Sequence, residues 1–400
     1  MKAPTTSQVG HGVSDQLRAQ RAEPVRAPSP ADVAAAFDPA RLTQARRLAG
    51  MSKKDIADRL TVTPAAVGQY EAGVTRPRPD VLTHLAEALG VPVGFFAAGR
   101  PHALLDVSGT HFRSLRSTRV YQREKAVAFA SQIWELAHAL ERRVQLPAVD
   151  LPGFETADDE LPGDPVEAAR ALRAHWGLGR GPIAHLVRLL ESHGIVVAML
   201  PFERGEAARI DAFSTSRLPR PLIVLTPDRA DDVYRYRFSA AHELGHLILH
   251  GDTASGDAQL EREADTFAAE FLTPRASIAP ELPARVDFTA LARLQTTWGV
   301  SIKSLLYRCR ELGLISAPTA SRAYQRLNAM RGKGLFPDEP IAGYPGEATA
   351  LLALALDLAT RHDTTLTELT AELAWPAERI PELLGLRSAR PALRLVPEHG

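Results

Sequence analysis

The sequence predicts a mainly α chain with a small β-sheet, an α+β protein of two or three domains. Three observations carry that expectation. Apolar residues recur at three- and four-residue spacings through most of the chain, the period of an amphipathic helix. Only a few short apolar runs read as strands: Ile195 to Leu200, Ile210 to Ser214 and Pro221 to Leu225. The length, 400 residues, exceeds that of a usual single domain.

Composition narrows the classes. Lys plus Arg and Asp plus Glu are equal at 47 each, so any contact with nucleic acid must come from a local patch. One cysteine, Cys309, excludes a disulfide framework and a multi-thiolate metal site, and reads as a buried, inert thiol. The opening residues lack the basic stretch and apolar run of a secretory signal. Leu351 to Ala359 is apolar but too short to cross a bilayer, which takes roughly 18 residues. A cytoplasmic protein with no membrane partner is expected.

Taken in order, residues 1–37 are polar, with Pro24, Pro28 and Pro30 scattered among them, and read as a disordered arm. Residues 38–97 alternate short helices with turn signals and are expected to form a five-helix domain. Asp38 suits an N-cap, Pro39 a first helical position and Gly50 a C-terminal stop. Ser52 caps a second helix that turns Ile56, Ala57 and Leu60 inward. Thr61-Val62-Thr63 then makes the turn, and Thr63 caps a third helix with Pro64 first and Val67 inward. A further helix from about Asp80 carries Leu82, Leu85, Ala86 and Leu89. A helix pair joined by such a three-residue turn is the geometry that lays a recognition helix in the major groove.

Residues 98–160 read as a connecting helix, Thr118 to Val144, followed by a linker rich in Pro, Gly, Asp and Glu. Residues 161–316 form the next domain. It opens with helices near Asp164 to His175 and Pro182 to Ser192, passes through the three strands, and is helical from Asp231. Residues 317–400 read as a helical extension with one clear apolar helix, Ala348 to Arg361, and no readable role.

The stretch from Arg41 to Phe96 resembles the Cro/repressor (XRE) helix-turn-helix family. The residues that carry the resemblance are Ser52, Ile56-Ala57, Leu60, Val62-Thr63, Val67, Tyr70-Glu71-Ala72-Gly73, Pro77, Leu85-Ala86 and Leu89. The resemblance implies that helix three turns Thr63, Ala65, Gly68 and Gln69 toward the groove. Lys53 stands where family members often have glutamine, which favours phosphate or guanine over adenine. Eight bases against five acids between Arg41 and Phe96 give the stretch about +3, enough to help hold phosphates. One such module contacts few base pairs, so a palindromic or repeated double-stranded DNA operator and a homodimer are expected.

The second motif is His242-Glu243-Leu244-Gly245-His246. Histidines four apart share a helix face, so both imidazoles can reach one zinc ion, and the glutamate beside the first can act as a general base. Three protein ligands and one open position make a catalytic zinc site. Two glutamates downstream, Glu261 and Glu263, are candidates for the third ligand. Glu261 shares a face with Asp265, four residues on, whereas Glu263 points about 160° away from Asp265, which favours Glu261. Asp265 would then accept a hydrogen bond from a ligating histidine. His250 reads as a helix C-terminal residue beside Gly251, outside the ligand set.

Residues Val166 to Ser316 resemble the ImmA/IrrE metallo-endopeptidases. The resemblance is carried by Trp176-Gly177, Gly194-Ile195, Ala212-Phe213, Ile223-Val224-Leu225, the histidine–glutamate motif and the run from Glu261 to Pro274. It implies a zincin-like domain with one zinc per chain, Glu261 as third ligand, and a repressor or antitoxin-like protein as substrate. Tyr234, Tyr236 and Arg237 are candidates for stabilising an oxyanion. The spacing of Leu294, Trp298, Val300-Ser301 and Leu305 echoes Ile56, Leu60, Val62-Thr63 and Val67, and fits a second helix-turn-helix-like pair or a core hairpin. The sequence thus points to a DNA-binding transcriptional regulator with a fused zinc endopeptidase. The alternative is a transcription factor whose zinc domain is a non-catalytic sensor or structural module.

Overall fold

The computed structural model describes residues 27–101, 111–112, 120–154, 161–200, 212–226, 232–251, 257–362 and 364–386. Five helices open the described chain: α1 (Pro30–Ala35), α2 (Pro39–Leu48), α3 (Lys53–Leu60), α4 (Pro64–Glu71) and α5 (Pro79–Leu89). Local chemistry starts them. Asp38 accepts from Ala40 N at 2.9 Å, Ser52 forms a capping box with Asp55, and Thr63 accepts from Ala66 N at 3.2 Å. Helix α1 corrects the reading of an arm without order for its described part, residues 27–37. Ser29 and Asp32 cap each other reciprocally, and Val33 is buried in the core of the module. Averaging composition over 37 positions hides a helix of six. Residues 1–26 lie outside the described residues.

The strands β1 (His111–Phe112), β2 (Val196–Met199), β3 (Ala212–Thr215) and β4 (Leu222–Leu225) form one sheet in the order β1-β3-β4-β2. β3 pairs antiparallel with β1 and β4, and β2 pairs parallel with β4. The sheet is apolar on both faces and alternates with period two. Val196, Ala198, Phe213, Leu222 and Val224 face one core, while Val197, Ala212, Ile223 and Leu225 face another.

The connecting helix expected between residues 118 and 144 is present and is built into the first core. Helix α6 (Val120–Glu141) is covered on nearly every side, and its Phe129, Ile133 and Leu136 belong to the same apolar cluster as Leu42 and Val67 of the N-terminal helices. Arg41, wholly buried, donates to Glu135 of α6 at 2.7 Å, and Gln44 donates to the same carboxylate at 2.7 Å. The following segment is pinned as well. Leu146 and Leu151 are buried, Asp150 holds His193 at 2.9 Å, and its carbonyl accepts from Trp176 Nε1.

Residues 155–160 are not among those described. After them come α7 (Pro165–His175) and α8 (Leu186–Ser192). The second of these starts four residues later than the sequence predicts, because the Ile183 and Ala184 carbonyls are turned to the Arg237 guanidinium instead of into a helix.

The second core gathers α7, α8, α9 (Val233–Leu249), α10 (Ala258–Leu272), α11 (Arg275–Ile278), α12 (Phe288–Trp298), α13 (Ile302–Glu311) and α14 (Ala317–Gly332). The echoed turn is present between α12 and α13. Gly299, at φ 64°, stands where Thr61, at φ 56°, ends α3, and Ser301 accepts from Ser304 N at 3.1 Å as Thr63 does from Ala66 N. It is also a core hairpin, since Leu291, Leu305 and Leu306 are fully buried.

The C-terminal helices α15 (Leu351–Arg361), α16 (Leu366–Leu373) and α17 (Arg379–Leu383) close the first core against α6. Two buried carboxylates lock this extension to the rest. Glu347 accepts from Leu186 N and Val187 N at the start of α8 and pairs with Arg237. Glu191, on α8, accepts in turn from Ala350 N and Leu351 N at the start of α15. No helix among the described residues is long and apolar enough to cross a membrane.

Candidate metal centre and nucleic-acid interface

Asp232 caps α9 by accepting from Tyr234 N, and the helix then carries His242, Glu243 and His246 into the interior, each buried to 1 % exposure or less. Gly245 between the histidines has a packing reason. A Cβ there would stand 3.1 Å from Phe267 and 3.3 Å from Ala264 Cα, so its absence lets α10 lie close against α9. That closeness brings Glu261, in the first turn of α10, to the histidines.

His242 Nε2 and His246 Nε2 are 3.1 Å apart, and Glu261 places Oε2 3.5 Å from the first and Oε1 3.5 Å from the second. Ligand atoms about 2.1 Å from a tetrahedral ion lie about 3.4 Å from one another, so these three donors fit a single ion. Among the described residues they form the group able to hold one. Burial works to raise the Glu261 pKa, but the paired imidazoles outweigh it and hold the carboxyl at about 2, ready to ligate as the anion.

The surrounding contacts orient these donors. Asp265 Oδ1 lies 2.8 Å from His242 Nδ1, as the sequence suggests. His250 stays outside the ligand set, yet its Nδ1 is 2.8 Å from His246 Nδ1 and its Nε2 is 3.1 Å from Glu263. The rival glutamate therefore touches the site through a histidine. Burial pushes the His250 pKa down, against the pull of Glu263.

Sequence reasoning missed this relay. The available signal is that His250 falls one turn past His246 on the same face. It also missed Ser214, whose Oγ donates to Glu243 Oε2 at 2.8 Å. A serine at the centre of a fully buried strand is the trace it leaves.

The oxyanion candidates go elsewhere. Arg237 spends its guanidinium on Glu347 and on the Gly299, Ala184 and Ile183 carbonyls. Tyr234 meets the Tyr344 hydroxyl at 3.3 Å, and Tyr236 is buried near Glu347 and Glu191. Cys309 is buried, and that burial raises its thiol to about 11, as an inert core residue requires.

At the N-terminal module, Thr63, Ala65 and Gln69 are exposed along one side of α4, and Gly68 between them is half-buried. The Thr63 hydroxyl is engaged as a cap. Lys53 Nζ lies 3.3 Å from Glu71, whose carboxylate is mainly held by Arg46 at 2.6 Å. The surplus of +3 overstates the basic surface, because Arg41 and Arg46 are buried in ion pairs and Arg47 reaches Glu124 of α6. The exposed bases of the stretch are Lys53, Lys54, Arg59, Arg76 and Arg78.

Fold and site together define the class: a helix-turn-helix module of DNA-binding type joined to a metallopeptidase-like domain. Residues 42–96 match the family described as Helix-turn-helix, and residues 190–310 match the family described as IrrE N-terminal-like domain, Peptidase M78. The chain is a fusion of these two modules, and the second match spans every residue of the metal group. No curated protein matches the chain.

Proposed function

We propose that the chain is a transcriptional regulator whose second module is a zinc-dependent endopeptidase acting on a repressor or another regulatory protein. The supporting observation is the setting of Glu243. It lies between two converging histidines, is itself no member of the donor triangle, and is fixed by the Ser214 hydroxyl. A purely structural metal site has no need of a base beside its ligand.

In this reading residues 38–97 read DNA and residues 161–316 hold the reaction, with the extension from 317 completing both cores. His242, His246 and Glu261 hold zinc, which supplies Lewis acidity toward a peptide carbonyl. Glu243 would take a proton from water on the carboxylate oxygen that Ser214 does not hold, as the hydroxide adds to the peptide carbonyl carbon, and return it to the amide nitrogen as the C–N bond breaks. Asp265 and His250 keep the two imidazoles in the tautomer that presents Nε2. On the other module, Thr63, Ala65, Gly68 and Gln69 face the major groove of a double-stranded operator, Lys53 reaches its phosphates, and two copies bind paired half-sites.

The experiment is Glu243→Gln, measured on one preparation for metal content, operator affinity and survival of a candidate repressor or of the chain itself. Zinc and DNA binding are expected to stay and cleavage to stop. Cleavage at the wild-type rate would refute the mechanism. A zinc-loaded wild type that cuts nothing would leave the sensor role in its place.

A further inference from the structure

We propose that the cleft beside the metal group is a subsite for an acidic segment of a protein substrate, with an apolar side chain seated next to the acid; this rests on the peptidase reading above. A cavity of about 580 Å³ begins at Asp265 and Phe238. Asp265 holds His242, and Phe238 lies one turn before His242 on the same face of α9. The cavity runs on along α10 past Leu272, and its far wall is α13 and α14. The cavity adjoins the metal group through Asp265, on the Nδ1 side of His242, so a substrate segment seated in it lies beside the ligands and not among them.

The far wall is basic in a chain with no net charge. Residues 302–332 hold six Lys and Arg against one Asp or Glu, a local surplus of five. Some of that charge is spent internally: Arg308 is buried against Glu270 and Glu311, and Arg331 reaches Asp232 and Asp338. Lys303 is exposed on the cavity wall, in the first turn of α13, where the helix dipole adds to its field. Arg310, over the Tyr307 ring on the same side of α13 as Lys303, extends the positive charge outside. The two carboxylates inside are engaged, Asp265 with His242 and Asp232 with the start of α9.

Lys303 and Arg235 are exposed cations on the lining, while Phe238, Leu272, Ile302 and Leu327 supply apolar surface between the charges. A pocket with apolar walls that adjoins a peptidase centre fits a peptide better than a duplex, whose phosphates have no use for those walls. Interfaces select partners by such charge complementarity.

The test uses full-length, zinc-loaded Glu243→Gln protein and fluorescence anisotropy with two short labelled peptides. One has phenylalanine flanked by glutamates, the other by glutamines. The acidic peptide is expected to bind about tenfold more tightly at low salt, with the preference shrinking as salt rises. Lys303→Glu is expected to weaken the acidic peptide about fivefold and the glutamine peptide little, and Lys303→Ala to do so by less in the same direction. Lys303 is exposed, so both variants should keep the parent's melting temperature.

Equal affinity for the two peptides, or no change on Lys303→Glu, overturns the subsite. A DNA duplex that displaces the acidic peptide and is itself weakened by Lys303→Glu overturns it in favour of a nucleic-acid surface. Acid-dependent binding by a wild type that never cuts leaves the subsite standing and sinks the peptidase reading. Cleavage indifferent to the acid does the reverse.

Discussion

Zinc affinity should fall in a fixed order across four variants, and the order follows from the number of contacts between each side chain and the ion. Glu261→Ala removes one of three donors and should cost the most. Asp265→Ala and His250→Ala each remove the partner of one imidazole, at 2.8 Å in both cases. The ring is then free to turn or to change tautomer. Loss of such a partner typically costs ten- to a hundredfold in metal affinity, about 1.4 to 2.7 kcal/mol. Glu263→Ala removes a contact of 3.1 Å one step further out, to His250 and to neither ligating histidine, and should cost less than tenfold. Competition of each metal-stripped variant against a chromophoric zinc chelator gives the four constants directly. Equal losses from Glu263→Ala and Glu261→Ala would refute the ligand assignment, and an unchanged constant for both Asp265→Ala and His250→Ala would refute the role given to the surrounding contacts.

Two further outcomes are expected. Gln69→Ala should relax discrimination between operator and random duplex, whereas Lys53→Ala should weaken both alike and lower the salt slope by about one; equal binding of operator and random DNA by wild type in gel-shift titrations would end the specific-reader claim. Burial pushes the Glu191 carboxyl up to about 7 despite two backbone donors from α15. The folded state therefore holds that proton more tightly than the unfolded chain, and stability from this group falls as pH rises from about 4.5 to about 7, by roughly 3 kcal/mol at most. Glu191→Gln should flatten that part of the pH profile of denaturant midpoints, and profiles that coincide would refute it.

The parts of this protein legible in the sequence are those fixed within about one helical turn. Asp38, Ser52 and Thr63 cap helices through contacts two or three residues away, so the helix-turn-helix can be read without its surroundings. The histidine pair is legible for the same reason, and Glu261 with Asp265 nearly so, because both lie on one face of the next helix. His250 was visible as a neighbour of His246 but not as its partner, since the second contact, to Glu263, comes from another helix.

What the sequence hid lies in long-range pairs. The segment after α6 has the composition of a linker, yet Asp150 ties it to His193 and to the Trp176 indole. Helix α6 shows apolar spacing on one face, but burial on its remaining sides comes from elements far away in the chain: the N-terminal helices through Arg41 and Gln44, and α17 through Arg379, which donates to Gln132 at 2.8 Å. The strands carry the same lesson. A run such as Ile195 to Leu200 is apolar at every position because the sheet has a core on each face, and only the period of two decides that Val196 looks toward the core built on α6 and the C-terminal helices and Val197 toward the core that carries the metal group. Two modules that look separable by motif therefore draw on two cores divided by one thin sheet, the N-terminal helices reaching theirs through α6, so a substitution at Val196 or Val197 perturbs one core or the other according to its parity in the strand.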